Sequence, residues 1–294
     1  MEIRRMEGCS LADAVEAWNA GFTGYYFNAA TTADAMLRRM VQEELSPHLS
    51  LIAYHEARPV GIVLGGVRLI TNRKVGWNGG TGVAPDLRGK GTGKLLMEAH
   101  LDILREEGAE SATLEAILAN DRAISLYQKV GYRVIDELEH LSLKGKAQLS
   151  ISAPLSFEYR IERLSPDRID SIPFYKSGNP WQTHWQSARE GEAIVVFNGA
   201  GAPVGYAYSK RVYTPEGRHE STVMHQCETA LTDVEGERVI RILLDAVFGR
   251  FEDDINRVIP NVPKKASAMT GMVLKKMGFE TVAEQVQMVK DLAG

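Results

Sequence analysis

The hexapeptide Arg88-Gly89-Lys90-Gly91-Thr92-Gly93 gathers residue types that can hold a phosphate. Glycines at alternate positions let main-chain amides approach a ligand, because no Cβ stands in the way. From Lys94 to Glu107 the spacing is helical, with Leu95, Leu96, Ala99, Ile103 and Leu104 assigned to one face. The loop therefore leads into a helix N-terminus, where unpaired N–H groups and the helix dipole favour an anion. Arg88 and Lys94 add positive charge. Two familiar phosphate loops fit poorly. Leu95 follows Gly93-Lys94 where a nucleotide-hydrolase loop needs a hydroxyl for magnesium. A dinucleotide fingerprint needs G-x-G-x-x-G early in a βαβ unit, whereas this loop reads G-x-G-x-G and follows several strands.

The elements that must position this loop can be read around it. Val75 to Val83 is strand-like although broken by glycines, and Pro85 ends its pairing. Gly108 suits the position just past the helix. Ser111 to Ile117 reads as a strand. A second helix follows Asn120, with Ile124, Tyr127 and Val130 on one face and Gly131 closing it. Upstream lie two helices and a hairpin whose runs, Leu51 to Tyr54 and Ile62 to Leu64, flank Arg58-Pro59-Val60-Gly61.

The order of elements recurs. Ala202-Pro203-Val204-Gly205 repeats Arg58 to Gly61, Lys275-Lys276-Met277-Gly278-Phe279 repeats Gln128-Lys129-Val130-Gly131-Tyr132, and Ile161-Glu162-Arg163-Leu164 repeats Ile3-Arg4-Arg5-Met6. Two copies of one domain are expected in 294 residues, which is room for two cores. The expected division is 1–143 and 158–294, with a small, polar linker at 144–157.

Composition narrows the function classes. With 34 Lys+Arg against 38 Asp+Glu, the net charge of −4 argues against nucleic-acid binding through bulk positive charge. No run of 18 apolar residues or signal-peptide pattern is read, and the two cysteines, Cys9 and Cys227, form no framework, so a cytoplasmic protein without membrane contact is expected. Seven histidines show no metal-ligand spacing, and no metal is expected.

The segment Val83-Ala84-Pro85-Asp86-Leu87-Arg88-Gly89-Lys90-Gly91-Thr92-Gly93-Lys94-Leu95-Leu96 resembles motif A of the GCN5-related N-acetyltransferases. Asn120-Asp121-Arg122-Ala123-Ile124-Ser125-Leu126-Tyr127-Gln128-Lys129-Val130-Gly131-Tyr132 resembles their motif B. The resemblance implies a mixed α/β (α+β) fold, each domain a central, mostly antiparallel mixed sheet flanked by helices. It implies acetyl-CoA as co-substrate, in a gap between strands ending near Val83 and Ala116. The backbone of Gly82 and Val83 would pair with the pantetheine arm, and the Val83 amide would polarise the thioester carbonyl. The amides of Gly89, Lys90, Gly91, Thr92, Gly93 and Lys94 would hold the diphosphate, with Arg88 beside it. Asn120 would bond the pantetheine end, and Tyr127 would serve as general acid.

Alternatives stay open at several of these positions. Asn120 is also a good helix cap, and Tyr127 lies on an apolar face. Glu115 is the candidate base for the incoming amine, or an exposed strand charge. Phe22, Tyr25 and Tyr26, within Gly21-Phe22-Thr23-Gly24-Tyr25-Tyr26-Phe27, are the candidate acceptor pocket or helical core. The acceptor implied is a small-molecule or peptide amine, and the chain a monomer or homodimer. The rival readings are a non-catalytic acyl-CoA sensor or interaction module, and a transferase using a longer acyl-CoA.

The second copy reads as degenerate. At an offset of 147, Arg88, Gly89, Gly91 and Gly93 fall on Glu235, Gly236, Arg238 and Ile240, while Asn120 and Tyr127 fall on Ser267 and Leu274. Two of the three glycines and the site residues are lost, but Val239, Ile240, Leu243, Leu244 and Val247 keep an apolar stripe. No cofactor site is expected there. Asn179 to Trp185 is a candidate pocket wall, with core packing as the equal alternative.

Overall fold

The computed structural model describes residues 1–147, 159–249 and 251–292. Residues 148–157 of the expected linker lie outside the described residues. The chain forms two compact units, Met1–Ile135 with Gln287–Gly294, and Asp136–Val286. The units are therefore not continuous stretches of chain, unlike the sequential division read above.

The first unit contains β1 (Glu2–Arg5), α1 (Leu11–Gly21), α2 (Ala33–Glu43), β2 (Leu45–His55), β3 (Arg58–Ile70), β4 (Arg73–Val83), α3 (Thr92–Glu106), β5 (Ser111–Ile117) and α4 (Asp121–Lys129). Its strands run in the order β1-β2-β3-β4-β5. Pairing is antiparallel except between β4 and β5, which are parallel. The last residues of the chain's final strand, β12 (Glu280–Asp291), lie beside β5, where Leu292 N donates to Glu110 O at 2.8 Å.

Local chemistry starts and stops these elements. Ser10 caps α1 and Thr32 caps α2, each hydroxyl accepting an amide of the first turn. The β2–β3 hairpin turns at Glu56 and Ala57, both with positive φ, so Arg58 to Gly61 belong to β3 and not to the turn. On α3 the buried stripe is Leu96, Met97, His100, Leu101 and Leu104, and Leu95 faces solvent, contrary to expectation. The stripe's Leu96 packs with Leu51, Ala53, Val60 and Val63 on one face of the sheet.

The second unit has strand order β6-β11-β10-β9-β8-β7. These are β6 (Arg133–Lys144), β7 (Arg160–Leu164), β8 (Glu192–Phe197), β9 (Pro203–Tyr213), β10 (His219–Thr229) and β11 (Asn256–Pro263). The helices are α5 (Asp233–Phe248) and α6 (Ala268–Lys276). β10 and β11 are parallel, and residues 138–144 of β6 pair antiparallel with β11. Where the first unit places α1 and α2, this one has short 3-10 turns at Pro166–Ser171, Trp181–Thr183 and Trp185–Ala188. Trp181, in the Asn179 to Trp185 segment, is buried. The α5 stripe packs with Val196, Ala207, Met224, Val273 and Leu274. Both units are thus mixed sheets flanked by helices. Among the described residues, no helix is long and apolar enough to cross a membrane.

Candidate functional site

The site begins where two parallel strands part. β4 and β5 pair from Val75↔Ser111 to Asn78↔Leu114 and no further, although β4 continues to Val83 and β5 to Ile117. On its other edge β4 stays paired with β3 to its end. Ala84 N donates to Val60 O on that β3 side at 2.7 Å. Strand amides alternate in direction, so the N–H and C=O of Thr81 and Val83 turn toward the gap. A bulge at Gly79, between the pairs Leu64↔Gly80 and Gly65↔Asn78, sharpens the divergence. An open strand edge of this kind can pair with an extended, amide-bearing ligand.

The glycine loop follows after a 3-10 turn at Pro85–Leu87. Gly89 and Gly91 have φ of 79° and 89°, a left-handed region that suits glycine, and Gly91 is the N-cap of α3. The peptide groups are thereby presented at a helix N-terminus with no capping side chain over them. Gly93 lies close under α4, where a Cβ would stand 3.0 Å from Leu126 Cδ2. Thr92 is buried, whereas Lys90 and Lys94 are exposed, Lys94 pairing with Glu98 at 3.5 Å.

Arg88 faces another way. Its Nε donates to Val83 O at 2.8 Å, and its Nη2 donates to Gly21 O at 3.0 Å and Thr23 O at 2.8 Å. The guanidinium is committed to three main-chain carbonyls.

Asn120 caps α4, its Oδ1 accepting from Ala123 N at 3.2 Å. Its side chain also hydrogen-bonds the Tyr25 phenol, which burial otherwise raises. Tyr127 is buried, and loss of solvent pushes its phenol up to about 12 even though a hydrogen bond with Thr81 pulls it back. Such a phenol stays protonated at working pH, so it can donate a proton or hydrogen bond but cannot act as a base.

Glu115 is half-buried on β5, and Trp77 Nε1 donates to its Oε2 at 2.9 Å. Phe22 and Tyr25 line a cavity of about 440 Å³ together with Asn19, Phe27 and Asn28. Tyr26 does not line it. It is exposed, and its hydroxyl donates to Ala119 O at 2.8 Å.

Sequence reasoning missed Trp77, Thr81 and the meeting of α1 with β4. At that meeting a Cβ on Gly21 would lie 2.7 Å from the Gly82 carbonyl carbon, and one on Gly82 would lie 3.0 Å from Gly21 Cα. Two glycine backbones touch there. The signal was the glycine run 79–82, which reads as a broken strand until the packing helix is seen.

The second unit corrects one set of expectations. Glu235, Gly236, Arg238 and Ile240 are not loop residues, because they lie inside α5. Between β4 and α3 the first unit has eight residues, 84–91, whereas between β10 and α5 the second has three, 230–232. The loop is shortened by deletion, not altered by substitution. Gly61 lies against Leu96, and Gly205 lies against both Val239 and Leu243, so packing admits offsets of 143 and 147, one helical turn apart. The helix starts, Thr92 and Asp233, are 141 residues apart and favour the smaller offset. The α4 equivalence holds, since Asn120 and Ser267 occupy the two N-caps and Gly131 and Gly278 both have positive φ. No group of three metal-ligating side chains occurs among the described residues.

Residues 12–132 match the acetyltransferase (GNAT) family. The match takes in 121 of the 294 residues, so within the first unit the chain is similar to the GNAT acetyltransferase domain. Among curated proteins it is 33% identical over 118 residues to a mycothiol acetyltransferase of Propionibacterium freudenreichii subsp. shermanii, covering 40% of this chain and 38% of that one. It is 29% identical over 132 residues to the N-alpha-acetyltransferase MAK3 of Arabidopsis thaliana, covering 44% and 63%. The chain thus spans less than two thirds of either relative. A tandem GNAT protein from the clavulanic acid biosynthesis pathway shares the fold over 100% of this chain and 99% of its own, with a TM-score of 0.60 at 12% identity.

Proposed function

We propose that the first unit is an acetyl-CoA-dependent N-acetyltransferase that passes the acetyl group directly to a primary amine within a ternary complex. One observation carries this reading: the edge of β4 left unpaired by β5 is followed, after one 3-10 turn at Pro85–Leu87, by a glycine loop at the head of α3. The edge suits the two amides of a pantetheine arm, and the loop suits a diphosphate. The shallow end of the gap, at Asn78 and Leu114, is protein on both sides, so the reactive end sits between Val83, Tyr127 and the aromatic segment.

Each residue then has a task. The Val83 N–H stabilises charge that develops on the acyl oxygen, in a setting that excludes water. The amine nitrogen bonds to the acyl carbon as the carbon–sulfur bond breaks. Tyr127 donates to the departing sulfur. A phenol at about 12 is a weaker acid than a thiol of about 8.5, so this donation is a strong hydrogen bond more than a complete transfer. Glu115, oriented by the Trp77 indole, takes the proton that the amine must lose. The glycine-loop amides and Lys94 hold the diphosphate, and Asn120 lies within reach of the arm.

The acceptor class is a small molecule or a chain N-terminus carrying a primary amine. The relatives' names, a mycothiol acetyltransferase and an N-alpha-acetyltransferase, support these two classes, and the net charge of −4 gives no steering toward nucleic acid.

Titration calorimetry with CoA tests the reading. One CoA per chain is expected, with binding weakened about 5- to 30-fold in Gly91→Val, the factor matching about 1–2 kcal/mol of left-handed strain. No CoA binding by the wild type overturns it. A panel of amines assayed for thiol release from acetyl-CoA then separates catalysis from a sensor that binds without turnover. Parallel runs with longer acyl-CoA thioesters separate acetyl from larger groups.

A further inference from the structure

We propose that Arg88 serves the acceptor side of the reaction as a positioning residue and is not a diphosphate ligand, an inference that rests on the acetyltransferase reading of the same gap. The sequence places this arginine at the head of the glycine loop, where charge alone assigns it to the phosphate. Its three hydrogen bonds say otherwise. Two go to Gly21 O and Thr23 O, and the third to Val83 O at the end of β4.

Those first two carbonyls begin a short aromatic strap, residues 21–27, that leaves the C-terminus of α1. Gly24, with φ of 72°, turns it. Phe22, Tyr25, Tyr26 and Phe27 stack edge to face around Tyr25, with centroids 5.1–5.3 Å apart. The far end is fastened beyond β5. Tyr26 Oη donates to Ala119 O at 2.8 Å, and the Tyr25 phenol meets the Asn120 side chain. The strap therefore runs from the end of β4 to the head of α4, across the mouth where β4 and β5 have parted. Arg88 is its only charged fastening to β4 among the contacts described. A guanidinium suits this task because its planar fork can serve several carbonyls at once.

Held this way, the strap fixes the wall against which an amine approaches and keeps water from the acyl group. Freed at one end, it should admit water, and acetyl-CoA would then be hydrolysed to acetate and free thiol without any amine. The test uses the full chain, with CoA and acetyl-CoA as probes and water as acceptor. In Arg88→Ala, the Kd for CoA and the KM for acetyl-CoA are expected to stay within about twofold of wild type, while amine-independent thiol release rises about threefold or more. Hydrogen exchange of the 22–27 amides should quicken about tenfold. Arg88→Lys, which keeps the charge but not the fork, should fall between the two.

A loss of CoA affinity of about tenfold or more in Arg88→Ala, with hydrolysis and strap exchange unchanged, makes Arg88 a phosphate ligand and overturns the proposal. Should Arg88→Ala not fold, Tyr26→Phe removes the opposite fastening and keeps the ring. It must then raise hydrolysis at unchanged CoA affinity, and its failure to do so also overturns the proposal. A wild type that binds no CoA sinks the acetyltransferase reading itself, an outcome distinct from either of these.

Discussion

The same strand occurs twice in this molecule, once with an open edge and once filled. In the first unit β4 ends Gly80-Thr81-Gly82-Val83, and in the second β10 ends Gln226-Cys227-Glu228-Thr229. The register makes them equivalent: Val83 pairs with Gly61 and Thr229 with Gly205, each a little beyond a bulge. Beyond the parallel pairing, which stops at Val223↔Val258, β10 and β11 also continue separately. The gap is thus a property of the fold, and what differs is its contents.

In the first unit the glycines let Trp18, Gly21 and Phe22 of the α1 region lie directly on the strand. In the second, Gln226 Nε2 donates to Lys176 O, Glu228 accepts from Ser267, and Thr270 donates to Cys227 O. Side chains crowd this strand in the second copy, and one of them, Thr270, satisfies a main-chain carbonyl of its open edge. Together with the three-residue loop, this supports a second unit that binds no CoA.

The most damaging change exchanges one of these residues. Gly82→Glu places a side chain where Gly21 Cα and the Phe22 ring already sit 3.0 Å from any Cβ. Displacing α1 by about 1 Å should cost about 10²-fold or more in kcat/KM. Steady-state kinetics beside a thermal melt checks it, and near-normal turnover would mean that the glycine pair has nothing to do with activity.

Glu228→Gln probes the filled copy through pH. Burial raises the Glu228 carboxyl from 4.5 to about 7, although the Ser267 hydrogen bond opposes the shift. The folded state therefore holds a proton that the unfolded state has released between these values. The stabilisation is complete below 4.5 and is lost as pH rises through 7. Glutamine, neutral throughout, should match wild type at pH 4 and exceed it at pH 8 by up to about 3 kcal/mol. Urea unfolding at both pH values decides it, and a pH-independent difference would break the assignment. His100 works in the opposite sense within the first unit. Burial lowers it to about 4, so its contribution is present above 6.5 and is lost as pH falls toward 4.

Tyr127→Phe comes next. Its second-copy equivalent is Leu274, so at this buried position the copies differ by an aromatic ring and its hydroxyl. A kcat loss of about 10²-fold is expected, the lower end for general acids, because the phenol is at about 12. CoA affinity should hardly change. Equal losses in kcat and affinity would make the hydroxyl a binding group only.

Much of this was written in short-range chemistry. The glycine loop, the Asn120 cap and the strand Ser111–Ile117 depend on neighbours in sequence, and they fold as read. Contacts between distant segments were not legible. Arg88 looked like a phosphate ligand because charge is visible in a sequence and the carbonyls of Gly21 and Thr23 are not. Glu115 gave no hint of Trp77, which lies 38 residues away. The α5 offset was misread for a physical reason. Val239, Ile240, Leu243, Leu244 and Val247 recur every three or four residues, so sliding the helix by one turn lays apolar on apolar and conceals the deleted loop.

The finest test exchanges a single hydroxyl between the copies. Thr270, in the first turn of α6, donates to Cys227 O, and the α4 residue at the same distance from its N-cap is Ala123. Thr81, the equivalent of Cys227, therefore has no such hydroxyl opposite its carbonyl. Ala123→Thr should supply one and compete with an incoming arm for that group, weakening CoA binding about fivefold, the equivalent of one net hydrogen bond of about 1 kcal/mol. Thr270→Ala should leave CoA binding alone and destabilise the chain by about 1–3 kcal/mol, because a buried carbonyl loses its donor. Calorimetry on the first variant and denaturant melts on the second measure both. If Ala123→Thr binds CoA like wild type while Thr270→Ala is destabilised, the hydroxyl is packing chemistry of the second unit, and the ligand in the first does not use the Thr81 carbonyl.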